Sequence, residues 1–284
     1  MAEIIDGRLV SQITREKIKA EASDFIEKTG VIPGIAVIIV GEDPASLVYV
    51  RNKHKACKEV GFNSFEICLP EDISEEELLL RIGELNLDSK VHGILVQLPL
   101  PRHICEKNVI EAIDKNKDVD AFHPFNIGKM FTSDYTFLPC TPAGIMTLLD
   151  FYNIKIEGKR CAVIGRSNIV GKPMALLLTE RNGTVTLCHS KTPNLTDITL
   201  QSDIIVVAIG RAEFLKGDMI KEGAVVIDVG INRLPDGKLV GDAEFGSVFE
   251  KASYLTPVPG GVGPMTITTL LRNTLTAAKK SVNF

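Results

Sequence analysis

The sequence predicts an α/β fold with mostly parallel sheets, divided between two domains. Short apolar, β-branched runs alternate with helical patterns almost from end to end. The runs are apolar on both faces, as strands buried in a parallel sheet are. A length of 284 residues suits one large domain or two ordinary ones.

The predicted strands are 35–40, 64–69, 91–97, 160–164, 184–188, 203–209 and 224–229. The helices between them have readable starts. Asp43-Pro44 puts a cap before a proline in the first turn, and Thr141-Pro142 repeats it. Ser74 with Glu77 three residues on is a capping box. The pattern breaks at 117–139, which reads as a domain junction and a functional loop. A second irregular zone, 231–264, leads into a final helix with a basic end.

Hydrophobic residues are 45% and charged residues 24%, which excludes a disordered chain. Lys plus Arg is 32 against 36 Asp plus Glu, net −4, which argues against a nucleic-acid-binding protein. The six cysteines form no C-x-x-C pair and the five histidines no H-x-x-x-H, so no zinc site or disulfide framework is expected. The thiols read as reduced core residues of a cytosolic protein. The first residues, MAEIIDGRLV, do not read as a secretory signal, and no apolar run is long enough to span a membrane. We therefore expect a cytoplasmic protein with no membrane partner.

The segment KRCAVIGRSNIVGKP runs an apolar strand into Gly165, a polar turn, and a helix after Gly171. Such a turn lets backbone amides meet a phosphate at a helix N-terminus. It matches neither G-x-G-x-x-G nor the P-loop, and such turns also simply close strand-helix junctions. The following strand ends in His189-Ser190-Lys191, with no acid for a ribose 2′-hydroxyl. Arg166 and Ser190 at that corner suit a 2′-phosphate, so NADP is preferred to NAD. Lys191 fits either a phosphate contact or a solvated loop. Gly210 and Gly230 end later strands, where glycine admits a ligand to the backbone. Asp228, inside an apolar strand, reads as a satisfied buried carboxylate.

The helix after Asp43 places Tyr49 and Lys53 at i, i+4 on one face. A lysine partly buried beside cations such as Lys55 and Lys58 would have a lowered pKa and could act as a base. On the helix alone, a basic amphipathic surface helix is the preferred reading. Gln97 ends a strand just before Leu98-Pro99-Leu100-Pro101, at a carboxyl end where α/β sheets bind ligands. Of the two loop acids, Asp118 reads as a turn residue. Asp120, between apolar neighbours, reads as a candidate hydrogen-bond acceptor for an amino-pyrimidine.

Together and in this order, eight segments resemble the bifunctional methylenetetrahydrofolate dehydrogenase/methenyltetrahydrofolate cyclohydrolase family. They are YVRNKHKACKEVG (49–61), GILVQLPLP (93–101), DVDAFHP (118–124), PCTPAGI (139–145), IGRSNIVGKP (164–173), HSKT (189–192), VIDVGINR (226–233) and TPVPGGVGPMT (256–266). The resemblance implies an N-terminal α/β substrate domain, 1–118, completed by a C-terminal helix at 265–284. It also implies a Rossmann-type NADP-binding domain, 138–264, with a cleft between the two. It implies NADP-dependent oxidation of 5,10-methylenetetrahydrofolate, hydrolysis of the methenyl product to 10-formyltetrahydrofolate, and a homodimer formed through the cofactor domain.

Carried over, Lys53 is the catalytic lysine and Tyr49 packs on the folate ring. Gln97 tunes Lys53, and Asp120 anchors the pterin. Gly165, Arg166, Ser167, Ser190 and Ile231 line the NADP site. Leu98, Pro259, Gly260 and Gly261 join the folate-binding set. Two positions depart from the family: Ala121, where glycine is usual, and Gly241-Asp242-Ala243-Glu244, which is expected to matter little. The competing readings are a monofunctional dehydrogenase, a shikimate-type dehydrogenase and a non-catalytic NADP-binding protein. Lys53 and Gln97 disfavour the first, and the Tyr49–Lys53 spacing with PVPGGVGP disfavours the second.

Overall fold

The computed structural model describes residues 1–284, except the side chains of residues 44–46 and 48. In chain order the elements are β1 (Glu3–Ile4), α1 (Gly7–Thr29), β2 (Gly34–Val40), α2 (Pro44–Val60), β3 (Asn63–Leu69), α3 (Glu75–Leu87) and β4 (Gly93–Val96). Next come α4 (Glu106–Ala112), α5 (Pro124–Phe131), α6 (Cys140–Phe151), β5 (Arg160–Ile164), α7 (Gly171–Glu180), β6 (Thr184–Cys188), α8 (Leu195–Thr199), β7 (Ile204–Val207) and β8 (Val225–Asp228). The chain ends with β9 (Asn232–Arg233), β10 (Leu239–Val240), α9 (Phe245–Lys251), β11 (Tyr254–Leu255) and α10 (Val262–Ser281). Two compact units result, one of Ile13–Cys140 with Ile267–Phe284, the other of Met1–Gln12 with Thr141–Thr266.

The first unit holds a three-stranded sheet ordered β3-β2-β4, all parallel. The chain leaves β2 for β3 on one side and returns to β4 on the other. The carboxyl ends of β2 and β4 therefore flank a topological switch point, the place where such sheets bind ligands. β2 and β4 are buried throughout, as their apolar runs predict. β3 is half exposed because it is an edge strand, and the same holds for β6. Residue 118 extends this sheet through a parallel bridge to Ile94. Gly93 is needed there, since a Cβ would meet the Val119 side chain at 2.7 Å.

The second unit holds a six-stranded parallel sheet ordered β1-β11-β8-β7-β5-β6. Its switch point lies between β5 and β7. The sequence shows no strand signal for β1 or β11, each of two residues. Their pairing places Met1–Gln12 in this unit, whereas the sequence reading ran the first domain from residue 1. The irregular zone 231–264 contains the β9–β10 hairpin, α9 and β11, and 117–139 contains α5.

Ser74 forms the predicted capping box with Glu77, its hydroxyl accepting from the Glu77 amide at 3.2 Å. At Asp43-Pro44 the Pro44 side chain lies outside the described residues, although α2 begins there. α6 begins one residue before Thr141, whose hydroxyl pairs with the Thr266 hydroxyl at 2.9 Å and so does not cap the helix. All six cysteines are free, but Cys68 and Cys105 are exposed, against the expectation of core thiols. Among the described residues, no helix is long and apolar enough to cross a membrane. Replacing Ser74 with Ala should cost about 1 kcal/mol, read as a lower denaturation midpoint at unchanged m-value.

Candidate active site

The first unit gathers Lys53, Gln97 and Asp120 from three segments. Lys53 lies on α2 with Tyr49 one turn before it, and Gln97 follows β4 directly. Lys53 Nζ donates to Gln97 Oε1 at 2.8 Å. The other end of the Gln97 amide donates to the Leu98 carbonyl at 2.7 Å, and its backbone amide bonds Ile38 at the end of β2. The carboxamide is thus fixed with its oxygen toward the lysine.

Burial pushes the Lys53 ammonium below its ordinary pKa. The Asp120 carboxylate opposes that shift, with smaller contributions from Cys140 and Cys57. The sequence reading attributed the lowering to neighbouring cations. Lys55 and Lys58 are exposed, and the charge that reaches Lys53 is an anion. Asp120 is in turn pushed up by burial and by Asp118, and held down by Lys53 and by a hydrogen bond with Cys140. The Cys140 thiol is driven well above its ordinary range by burial and by Asp120, so it remains a neutral donor. Tyr49 is 37% exposed and its phenol is raised by burial, so it stays neutral.

Asp118 is the turn residue the sequence indicated. Its carboxylate accepts from the amides of Phe122 and His123 and from Asn126 Nδ2 at 2.8 Å. Ala121, the departure from the usual glycine, sits at φ 60°. A left-handed alanine costs about 1–2 kcal/mol. Its methyl is fully buried among the core residues of this unit, which recovers much of that cost. Sequence reasoning missed Cys140 and Asn273. Asn273 Nδ2 donates to the carbonyls of Val119 at 2.8 Å and Leu138 at 3.0 Å.

The second unit gathers the other set. Parallel register pairs Ile164 with Cys188, so Arg166 and Ser190, each two residues further on, share one corner; both are exposed. Gly165 has φ 121°, and a Cβ there would meet the Ala208 carbonyl at 2.2 Å. A Cβ at Gly171 would meet the Gly165 carbonyl at 2.0 Å. The turn therefore brings bare backbone to the switch point, and no acid follows β6. These features fit a dinucleotide with a 2′-phosphate.

Ser167 plays a different part from a free ligand. Its hydroxyl accepts from the amides of Val170 at 3.1 Å and Gly171 at 3.3 Å, so those amides of the helix start are already engaged. Ile231 is 46% exposed and lies beside Gly263 at the start of α10. Pro259 is exposed, and Gly260, at φ 110°, and Gly261 lie against Arg8 and Gly7 of α1.

Gly230 admits a protein group, where the sequence suggested a ligand: its Cβ would meet the Asp242 carboxylate at 2.3 Å. Asp242 accepts from three successive amides, Ile209, Gly210 and Arg211, and from Asn232 Nδ2. Asp228 accepts from the amides of Gly230, Asp242 and Ala243, the satisfied role expected of it. The 241–244 segment thus ties the carboxyl ends of β7 and β8 together, more than the sequence suggested.

Two family models divide the chain. "Tetrahydrofolate dehydrogenase/cyclohydrolase, catalytic domain" matches residues 5–120, and the NAD(P)-binding domain of the same name matches 139–282. The chain belongs to the tetrahydrofolate dehydrogenase/cyclohydrolase family. Within it, the chain is 58% identical to the bifunctional protein FolD of Acetivibrio thermocellus, over 98% of this chain and 97% of that one. It resembles the crystal structure of the bifunctional FolD dehydrogenase/cyclohydrolase from Campylobacter jejuni, with TM-score 0.96, 50% identity, and coverage of 99% and 100%. A family enzyme from Trypanosoma brucei, solved with NADP cofactor and inhibitor, matches at TM-score 0.96 and 40% identity over 100% and 99%.

Two measurements follow. Asp228 is raised from 3.8 to about 6, chiefly by burial. The folded state therefore binds a proton more tightly than the unfolded one, and this group's contribution to stability is lost as pH rises from about 4 to about 6. Asp228→Asn lacks that loss. Its deficit against wild type should shrink by on the order of 2 kcal/mol between about pH 4 and about pH 7 in denaturant titrations. At Ala121, the Gly variant should stay within about 1 kcal/mol of wild type. The Val variant should lose more than about 2 kcal/mol, because a branched side chain fits neither the left-handed backbone nor the filled core.

Proposed function

We propose that this chain oxidises 5,10-methylenetetrahydrofolate with NADP and then hydrolyses the methenyl product to 10-formyltetrahydrofolate. The observation that carries the reading is the Lys53–Gln97 hydrogen bond of 2.8 Å at a sheet switch point, with Asp120 as the neighbouring charge. A lysine lowered by burial, yet supported by one carboxylate, gives up and takes back a proton more readily than an exposed one. The fixed Gln97 oxygen holds the amine in place between exchanges. Asp120 is the acceptor for the pterin amino group, and Tyr49 offers a neutral aromatic ring one helical turn from the lysine to pack on the folate ring. Leu98, with Pro259, Gly260 and Gly261, completes the folate-binding set.

Hydrolysis requires water to add to the methenyl carbon, and a proton to reach the ring nitrogen before the carbon–nitrogen bond opens. Lys53 is the group placed to carry that proton. Gly165, Arg166, Ser167, Ser190 and Ile231 are the residues that would hold NADP, with Arg166 and Ser190 on the 2′-phosphate. When bound, the nicotinamide supplies the hydride acceptor, so the oxidation asks no acid of the protein. The domain roles, 1–118 with 265–284 for folate and 138–264 for NADP, belong to the same reading. So do a homodimer and a cytoplasmic location.

Lys53→Gln tests it. The variant should lose at least about a hundredfold in hydrolysis, followed as loss of methenyltetrahydrofolate absorbance. NADP reduction with methylenetetrahydrofolate should fall less. Unchanged hydrolysis would remove Lys53 as the proton carrier. Wild-type NADP reduction without hydrolysis above the buffer rate would make the chain a monofunctional dehydrogenase.

A further inference from the structure

We infer that Asn273, on α10, is a positioning residue that sets where Asp120 stands relative to Lys53. The inference rests on the roles proposed above for those two residues. Asp120 has no regular element of its own. It follows the bridge at residue 118, in a loop turning through the left-handed Ala121. Asp118 holds the far side of this loop, and the Asn273 carboxamide holds it at Val119. Its nitrogen reaches the carbonyl of Val119, the residue just before Asp120, and the carbonyl of Leu138, two residues before Cys140. It also touches Cys140 Sγ at 3.7 Å. The Cys140 thiol itself lies 3.4 Å from the Val119 carbonyl and hydrogen-bonds Asp120.

One buried amide therefore joins the segment bearing the carboxylate to the segment bearing its thiol partner. Both N–H groups of Asn273 have a carbonyl to bond. A side chain of similar size without them leaves the part-buried Leu138 carbonyl unpaired and the buried Val119 carbonyl facing only the Cys140 thiol, and the loop must shift to hydrate them. The Val119 side chain packs against Gly93, where Thr274, the next residue of α10, also approaches, so a shift of the 119–120 backbone turns Asp120 rather than Val119. A displacement near 1 Å at a reacting group costs on the order of a hundredfold in rate, and smaller ones proportionally less.

The test compares Asn273→Leu with Leu275→Ala, a buried core residue on the same helix, and with Lys53→Gln. Asn273→Leu should lose about tenfold or more in hydrolysis kcat/KM. NADP affinity by isothermal titration should stay at the wild-type value. The limb of the hydrolysis pH profile set by Lys53 should move to lower pH, because Asp120 is the group that raises Lys53. The other groups acting on that amine are Cys140 and Cys57, both neutral thiols over the range, with Gln97 hydrogen-bonded to it, and Asp118 stands behind Asp120. Leu275→Ala should lower the melting temperature while leaving the profile in place.

A profile for Asn273→Leu that coincides with that of Leu275→Ala would overturn the inference while leaving the Lys53 reading intact. Full hydrolysis by Lys53→Gln would overturn both. If the Leu variant does not fold, Asn273→Ser, too short to span both carbonyls, takes its place with the same expectations.

Discussion

The electrostatic balance between a partly buried ammonium, Lys53, and a partly buried carboxylate, Asp120, is the constraint around which the first unit is arranged. Each group alone would be driven toward its neutral form by loss of water. Together, Lys53 and Asp120 hold each other nearer the charged state. The balance is useful only if the separation is fixed, since interaction between unit charges falls with distance and rises steeply as solvent is excluded. The two groups belong to different segments. Lys53 is carried by a helix of 17 residues, which fixes its backbone well. Asp120 is carried by a loop, and the burden of fixing the distance falls on whatever holds that loop.

Asp118 ties residues 122, 123 and 126 to its own carboxylate, Asn273 bonds the carbonyl of Val119, and Val119 fills the space left by Gly93. The left-handed turn at Ala121 lies within this crowded segment. The chain must reverse within a few residues while keeping its methyl in the core. Gln97 does for the lysine what these groups do for the carboxylate, and its own amide is anchored to the neighbouring strand.

Much of this was legible in the sequence, and the reasons for what was not are physical. The central strands β2, β4, β5, β7 and β8 announce themselves because parallel burial demands continuous apolar runs. β1 and β11 do not, because two residues cannot carry a period. Lys53, Gln97 and Asp120 could be picked out by type and by place at strand or helix ends, and Tyr49 by its spacing. The cause of the Lys53 shift could not, since Asp120 lies 67 positions away along the chain. Cys140, inside PCTPAGI, and Asn273, between Arg272 and Thr274, give no sign of their role in the sequence. Their function depends on which carbonyls they meet, and that is settled by the packing of distant segments.

The second unit solves the same problem with the same chemistry. Loops at the carboxyl ends of parallel strands must be rigid to receive a ligand, yet they have lost the ladder that fixed the strands. In both units the remedy is a buried aspartate that accepts from backbone amides. Asp118 does so after the bridge to β4, Asp228 at the end of β8, and Asp242 across to the loop after β7. A carboxylate suits this task because its two oxygens can take several amides at once, and charge strengthens each bond where water is scarce. The cost appears as the raised pKa of Asp118 and Asp228, and it is accepted because the amides would otherwise be unpaired. Glycine is the necessary complement, since Gly230 and Gly241 leave room for the carboxylates themselves. Acids that the sequence offers as a turn residue, Asp118, and a satisfied buried carboxylate, Asp228, are therefore, with Asp242, what holds the loops at the carboxyl ends of both sheets in shape.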